Sequence, residues 1–182
     1  MKFKFIKTTL ISVITLSIIS CSKEAKKEDV ILVHEKLDLE NQILNYESTL
    51  RTDGGHSSTN YSSVDSANKY SVGYKFVIPD SARSKNLTLY VSAWVRESAV
   101  PLNGVLAVAI SNSKGILLWN TSSFKGGNYT PNTWVNIKDS LYVGKDLLLK
   151  DSYNEVRIFG TKDNGADALN IDDIEFTFKY KN

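Results

Sequence analysis

The amino-acid sequence predicts an all-β protein built as an antiparallel β-sandwich, and three observations support this prediction. Apolar and polar residues alternate from Leu87 to Arg96, as in a strand that buries one face. Short segments with strand character recur along the chain, and clusters of turn residues such as Asp53-Gly54-Gly55 separate them. Outside residues 30–39, no segment keeps a helical periodicity. Many short strands joined by turns are typical of a sandwich.

Residues 30–39 fit two conformations. Their apolar start and the alternation that follows predict a strand. However, Val30, Val33 and Leu37 also fit one face of a helix, so the sequence leaves both conformations open.

The other candidate strands follow at short intervals. Proline has no backbone N–H to donate to a sheet, so Pro79 ends the candidate strand at residues 70–78. Asp163-Asn164-Gly165 predicts a hairpin between the last two strands, because such turns need positive φ. The candidates are residues 42–50, 70–78, 87–96, 104–110, 115–120, 133–138, 154–161 and 168–180.

The N-terminus has the pattern of a signal peptide. Three lysines and no acidic residue occur in the first seven positions, and residues 8–20 are uncharged. Those 13 residues include six Ser or Thr, whereas a membrane-spanning helix needs about 20 apolar residues. Cys21, the only cysteine, follows directly, and Ile18-Ile19-Ser20-Cys21 resembles a bacterial lipobox. An ordinary secretory signal remains the alternative.

The resemblance to bacterial lipoproteins implies a domain organisation and a location. It implies that residues 1–20 are removed and that Cys21 is acylated and holds the chain to a membrane. Residues 21–40 then form a tether, and residues 41–182 form the folded domain. Ser22, rather than Asp, after the cysteine implies the outer membrane. Whether the domain faces the periplasm or the cell exterior stays open.

Composition excludes several classes of function. Processing removes three lysines and no acidic residue, so the net charge falls from +2 to −1. The processed sequence then has no basic patch that would suggest a nucleic-acid partner. With Cys21 acylated, no cysteine remains for a disulfide or a cysteine-rich metal site.

Several segments resemble carbohydrate-binding modules with a jelly-roll fold, also called galactose-binding-like domains. The closing strand of that group commonly contains two aspartates between apolar residues, as in Leu169-Asn170-Ile171-Asp172-Asp173-Ile174-Glu175-Phe176. The resemblance extends to Asn45-Tyr46-Glu47, to residues 89–96 and to Thr133-Trp134-Val135-Asn136-Ile137. It implies a jelly-roll sandwich that binds a glycan without catalysis, and it does not identify the ligand.

The same resemblance implies a structural calcium ion. Glu47 and Asp173 would be its carboxylate ligands, with loop carbonyls completing the shell. Calcium takes six to eight oxygen ligands, so two carboxylates do not define a site. The alternative is that Asp172 and Asp173 form a bulge or cap in the last strand and bind nothing.

A glycan-binding face needs flat aromatic rings beside hydrogen-bonding groups. We expect the strands that carry such residues to lie in one sheet and bring them together. The alternative is that the aromatic residues pack between the sheets, and Trp134 is assigned to such packing. The candidates are Tyr90, Trp94, Arg96, Trp119, Asn120, Arg157 and Phe159.

The sequence contains no motif that indicates catalysis. Neither His34 nor His56 is part of a pattern that pairs it with a serine nucleophile, and residues 54–57 fit a turn. We therefore predict a lipid-anchored envelope protein that binds a glycan and is not an enzyme. The alternative is a structural or adhesion lipoprotein that contacts envelope proteins, and an enzyme of glycan turnover is a third hypothesis.

Overall fold

Two antiparallel sheets stack face to face in the computed structural model of the chain. This arrangement confirms the predicted β-sandwich of jelly-roll type. No helix among the described residues is both long enough and apolar enough to cross a bilayer. The predicted signal peptide and Cys21 lie outside the part of the chain that the structure describes. The described residues are 28–40, 47–98, 104–123, 129–162 and 168–181.

The larger sheet has six strands. Its order is β2–β3–β10–β5–β8, and β1 pairs with β10 on the same edge as β3, further along the strand. Its strands are β1 (Asp29–Leu37), β2 (Leu50–Arg51), β3 (Tyr61–Val64), β5 (Leu87–Glu97), β8 (Val135–Val143) and β10 (Leu169–Lys181).

The smaller sheet has four strands in the order β4–β9–β6–β7. The described residues also include a 3₁₀ turn (Glu47–Thr49) and two single-turn helices, α1 (Asp80–Arg83) and α2 (Lys145–Leu148). The strands of this sheet are β4 (Tyr70–Val77), β6 (Gly104–Asn112), β7 (Gly115–Ser123) and β9 (Glu155–Lys162).

The core lies between the two sheets, as the alternation predicts. The inward side chains of β5 are at most 3 % exposed. They pack with apolar residues of the facing sheet, including Val108, Ile110 and Ile158, which are also buried. Burial of each large aliphatic side chain stabilises the fold by about 1.5–3 kcal/mol. The inward residues of β5 are Leu87, Leu89, Val91, Ala93 and Val95.

Residues Asp29–Leu37 form a strand, which resolves the ambiguity of residues 30–39. β1 pairs with β10 from Asp29 opposite Lys181 to Leu37 opposite Ile174. This strand lies inside the range 21–40 that the sequence analysis assigns to a tether. The sheet therefore begins before residue 41, and only residues ahead of Asp29 remain for a tether.

Two other sequence predictions need correction. The hairpin predicted at Asp163-Asn164-Gly165 is wrong, because β9 and β10 belong to different sheets. The turn signal is local, whereas packing between the two sheets decides where the next strand pairs. Residues 47–50 of the strand predicted over 42–50 differ from the prediction, since Glu47–Thr49 form a 3₁₀ turn and β2 begins at Leu50, while residues 42–46 lie outside the described residues.

Candidate functional site

A groove lies on the outer face of the four-stranded sheet. One of the two inner strands of this sheet, β6, carries a small residue, Ala109, directly opposite Trp119 on β7 and Arg157 on β9. Residues opposite each other on neighbouring strands share one face of a sheet. The small side chain therefore forms a low floor between larger walls. The cavity measures about 620 Å³, and its lining consists of Tyr70, Ala109, Ser111, Asn112, Ser113, Lys114, Gly115, Ile116, Trp119, Arg157 and Phe159.

Three aromatic rings line this groove. The Phe159 ring centroid lies 5.7 Å from that of Trp119 and 5.5 Å from that of Tyr70, and both pairs meet edge to face. Trp119 and Tyr70 are each 45 % exposed. A large aromatic side chain normally buries most of its surface, so two half-exposed rings in one concave site form a hydrophobic surface suited to a ligand.

Gly73 lets β4 approach the aromatic strand closely. It lies opposite Phe159, and a Cβ atom at this position would be 2.4 Å from the carbonyl oxygen of Ile158 and 2.8 Å from Cβ of Phe159. Any larger residue would push β4 away from β9. The glycine therefore helps to set the position of Phe159 in the groove wall.

An ion-pair cluster borders the groove. Glu155, whose side chain is 3 % exposed, lies 2.6 Å from Lys75 Nζ and accepts a hydrogen bond from Tyr153 Oη at 2.6 Å. It also accepts a hydrogen bond from Arg157 Nε. Burial by itself would raise the pKa of Glu155, but the bonds from these three groups outweigh it and lower the pKa to about 2. Glu155 is therefore ionised at neutral pH and holds Arg157 at the groove.

A second aromatic cluster lies on the outer face of the six-stranded sheet. The His56 ring stacks on Trp94 with 3.7 Å between centroids and 13° between planes. The Arg96 guanidinium carbon lies 4.6 Å from the Trp134 ring centroid and 5.3 Å from that of Tyr61. All five side chains are partly buried against one another, so this cluster covers its own aromatic surface.

The two aspartates of the last strand form a bulge beside this cluster. Asp173 adopts a φ of 47°, a left-handed conformation that Asp and Asn tolerate better than most residues. Its carboxylate lies 3.0 Å from Lys36 Nζ and 2.9 Å from His56 Nδ1, and it accepts a hydrogen bond from Ser57 Oγ at 2.8 Å. Burial would raise the pKa of Asp173, but these bonds lower it.

Asp172 faces the backbone of the same loop. It accepts hydrogen bonds from His56 N at 2.8 Å and from Asp173 N at 2.7 Å. Burial nevertheless raises the pKa of Asp172. The pair of aspartates thus fixes residues 56–57 against β10 at the point where its edge partner changes from β3 to β1.

The calcium prediction is not decided by this geometry. The Asp173 carboxylate is contacted by a lysine ammonium, and the side chain of Glu47 lies outside the described part of the structure. Within the described ranges, no group of three or more His, Cys, Asp or Glu side chains could hold a metal ion. Calcium at Glu47 and Asp173 stays a prediction.

The residues predicted to share one binding face lie on two. The expectation that a single sheet carries them is wrong, because β5 lies in the six-stranded sheet and β7 and β9 lie in the other. Tyr90, Trp94 and Arg96 are therefore on the opposite outer face from Trp119, Arg157 and Phe159.

Two of the predicted residues make contacts outside the groove. Asn120 donates from Nδ2 to Asp139 at 3.1 Å and so links β7 to β8 in the other sheet. Tyr90 is 45 % exposed, and Lys179 Nζ lies 4.7 Å from its ring centroid. Neither side chain lines the groove.

Sequence reasoning missed Tyr70, Ala109 and Glu155. The signal for Ala109 was present in the small residues of an otherwise bulky central strand. Tyr70 gave no such signal, because only the pairing of β4 with β9 brings it beside Phe159. Glu155 precedes Arg157 by two residues on β9, so the period of two along the strand was a signal that both lie on one face. His56 was assigned to a turn, although it is the residue that stacks on Trp94.

Comparison with known proteins shows similarity at the level of structure. No protein-family model matches the chain, and no curated protein does. The CBM22-2 xylan-binding domain from Paenibacillus barcinonensis matches with a TM-score of 0.51 and 14 % identity, over 79 % of this chain and 98 % of that one. At this identity the similarity establishes the fold.

Other carbohydrate-binding modules match with lower scores. The C-terminal CBM6 of a marine laminarinase from Zobellia galactanivorans has a TM-score of 0.43 and 12 % identity, over 80 % of this chain and 99 % of that one. A CBM4 structure has a TM-score of 0.34 and 11 % identity, over 75 % and 88 % of the two chains. The structural neighbours of this chain thus include carbohydrate-binding modules with a jelly-roll fold.

Proposed function

We propose that this chain binds carbohydrate without catalysing a reaction, and that it does so through the groove of the four-stranded sheet. The observation that carries the proposal is the pair of half-exposed rings, Trp119 and Tyr70, on either side of Phe159 over the Ala109 floor. Sugar rings present apolar C–H faces, and aromatic side chains bind such faces at low entropic cost. The jelly-roll fold shared with a xylan-binding domain supports the same function.

The polar residues of the groove also suit a sugar. Ser111 and Asn112 lie at one end and offer hydroxyl and amide groups to sugar hydroxyls. Arg157 lies beside Trp119 across β6 and adds a charged donor. Apolar walls with a few placed polar groups are the usual composition of a small-molecule site.

We further propose that acylated Cys21 anchors the protein to the outer membrane. Seven residues separate this cysteine from Asp29, where β1 begins. A fully extended chain of that length reaches at most about 25–30 Å. The groove would then act close to the membrane surface.

The first test is the affinity of the soluble domain, residues 22–182, for a panel of polysaccharides that includes xylan and laminarin. Trp119→Ala removes one of the two half-exposed rings of the groove, and we expect it to weaken binding about 30-fold. Tyr142→Ala is the matched control, because Tyr142 is 63 % exposed on the six-stranded sheet. Failure of the domain to bind any glycan, or equal affinity in the Trp119 variant, would contradict the proposal.

Protein contact through the six-stranded sheet is the second candidate function. Tyr90 and Tyr142 are 45 % and 63 % exposed on its outer face, on the neighbouring strands β5 and β8. Such exposed rings are common at protein interfaces. Co-purification from detergent extracts tests this candidate: a partner lost on Tyr142→Ala supports it, and a protein that purifies alone contradicts it.

A further inference from the structure

We infer that the glycan held in the groove is acidic and bears carboxylate or sulfate groups. This inference rests on the proposed function and adds the class of ligand. Two cationic side chains, Arg157 and Lys114, line the groove. Among the described residues that line it, none carries a carboxylate. Glu155 borders the groove, but Lys75 and Arg157 both pair with it, so the cations of the site outnumber this carboxylate. The site is therefore locally cationic, although the chain beyond residue 20 has a net charge of −1.

The position of Arg157 is built into the fold. Its Nε donates to Glu155, which is itself anchored by Lys75 and Tyr153. The Glu155 side chain is 3 % exposed, whereas that of Arg157 is 53 % exposed. The negative charge is thus held below the surface, and the guanidinium reaches the groove. Because Ala109 is its neighbour across the strand pair, no larger side chain of β6 covers it at that position.

Lys114 supplies the second positive charge, from the turn between β6 and β7. Its backbone N–H donates to Asn112 Oδ1 at 2.9 Å, which shapes the turn, and its side chain is exposed. None of the ion pairs found among the described residues involves Lys114. Asp151 accepts a hydrogen bond from Ser113 in the same turn, but it does not line the groove.

The chemistry of these two groups favours an anionic ligand. A planar guanidinium matches the oxygens of a carboxylate or a sulfate, and such charge-assisted bonds are about twice as strong as neutral ones. A neutral sugar needs acceptors as well as donors for its hydroxyl groups. Only donors carry charge in this groove, so an acidic sugar gains more from it than a neutral sugar.

Matched pairs of polymers test the inference. Polygalacturonate is compared with its methyl ester, and dextran sulfate with dextran, by calorimetry on the soluble domain. We expect at least one acidic polymer to bind about tenfold more tightly than its neutral partner. The first pair tests carboxylate and the second tests sulfate. Added NaCl should weaken the acidic interaction, because salt screens charges at the surface.

Variants connect the effect to the groove. We expect Arg157→Gln to weaken binding of the acidic polymer about tenfold and Lys114→Gln about threefold. Arg157→Lys should restore part of the affinity. Lys138→Gln is the control. This exposed lysine lies opposite Ser92 on the other sheet, and its substitution removes the same charge. If Arg157→Gln does not fold, Lys114→Gln in the exposed turn still decides the question.

The outcomes separate the inference from the proposed function. Equal or tighter binding of the neutral polymers, lost in Trp119→Ala, overturns the inference and leaves glycan binding in place. Acidic binding that weakens as much in Lys138→Gln as in Lys114→Gln is non-specific and also overturns it. If no polymer binds, or if Trp119→Ala has no effect, the inference and the proposed function both fail.

Discussion

Replacement of the buried carboxylate beside the groove should have an effect on stability that depends on pH. We expect Glu155→Gln to lower the free energy of unfolding by about 2–3 kcal/mol at pH 7. The substitution keeps the shape of the side chain and removes its charge. It also turns one acceptor into an NH₂ group that faces Lys75 and Arg157, which are themselves donors.

The magnitude follows from the lowered pKa. The difference between the usual value of 4.5 and about 2 in the folded protein corresponds to about 3 kcal/mol. Lys75 and Arg157 are 49 % and 53 % exposed, so water screens part of the attraction and the lower end of the range is expected. Because the folded pKa is depressed, the stabilisation is present above about pH 4.5. It is lost as the pH falls towards 2.

Urea unfolding followed by tryptophan fluorescence measures this effect at several pH values between 7 and 2.5. The wild-type and Glu155→Gln curves should converge as the pH falls. Glu175→Gln is the control, because Glu175 is 50 % exposed and should contribute less than about 0.5 kcal/mol. A loss of stability that is the same at pH 7 and pH 3 would refute the reasoning, since it could not come from the charge of Glu155.

Three further predictions concern other parts of the chain. Asp173→Ala should lower the free energy of unfolding by about 2–4 kcal/mol in urea titrations, because it removes three bonds to a buried carboxylate. Asp173→Asn should cost less, because asparagine also tolerates positive φ, and equal losses would contradict this reason. Gly73→Ala should lower the free energy of unfolding by about 1–3 kcal/mol in the same assay and weaken glycan binding, because the new Cβ would meet the backbone of Ile158. An unchanged midpoint of urea unfolding would contradict this close approach. Cys21→Ser should move the protein from the membrane fraction to the soluble fraction in cell fractionation, and continued sedimentation with membranes would exclude the lipid anchor.

Much of the fold was predictable because the pattern in each strand is local. The alternation from Leu87 to Arg96 identified β5 and its buried face correctly. Pro79 marked the end of β4, because β4 ends two residues before it. In contrast, Asp163-Asn164-Gly165 gave a strong turn signal but the wrong partner for β10. A turn sequence specifies how the chain bends, and it does not specify which sheet the next strand joins.

The candidate site was predictable in composition but not in arrangement. Trp119, Arg157 and Phe159 were recognised as residues that can bind a sugar, and they do share a groove. Trp94 has the same chemical character and lies on the other face of the sandwich, stacked on His56. The physical reason is that the order of strands in a sheet depends on contacts between residues that are distant in sequence.

By itself, the sequence determined most of the segments that become strands and, in β5, which face is buried, because the period of two between apolar residues acts within each strand. It did not identify β3 (Tyr61–Val64), which is too short to show that period. It also contains the signal-like N-terminus that leads to the proposed anchor at Cys21. Only the tertiary structure decided that β9 lies beside β6, which places Arg157 and Trp119 on either side of Ala109. That arrangement depends on how the two sheets share one core, and no short stretch of sequence encodes it.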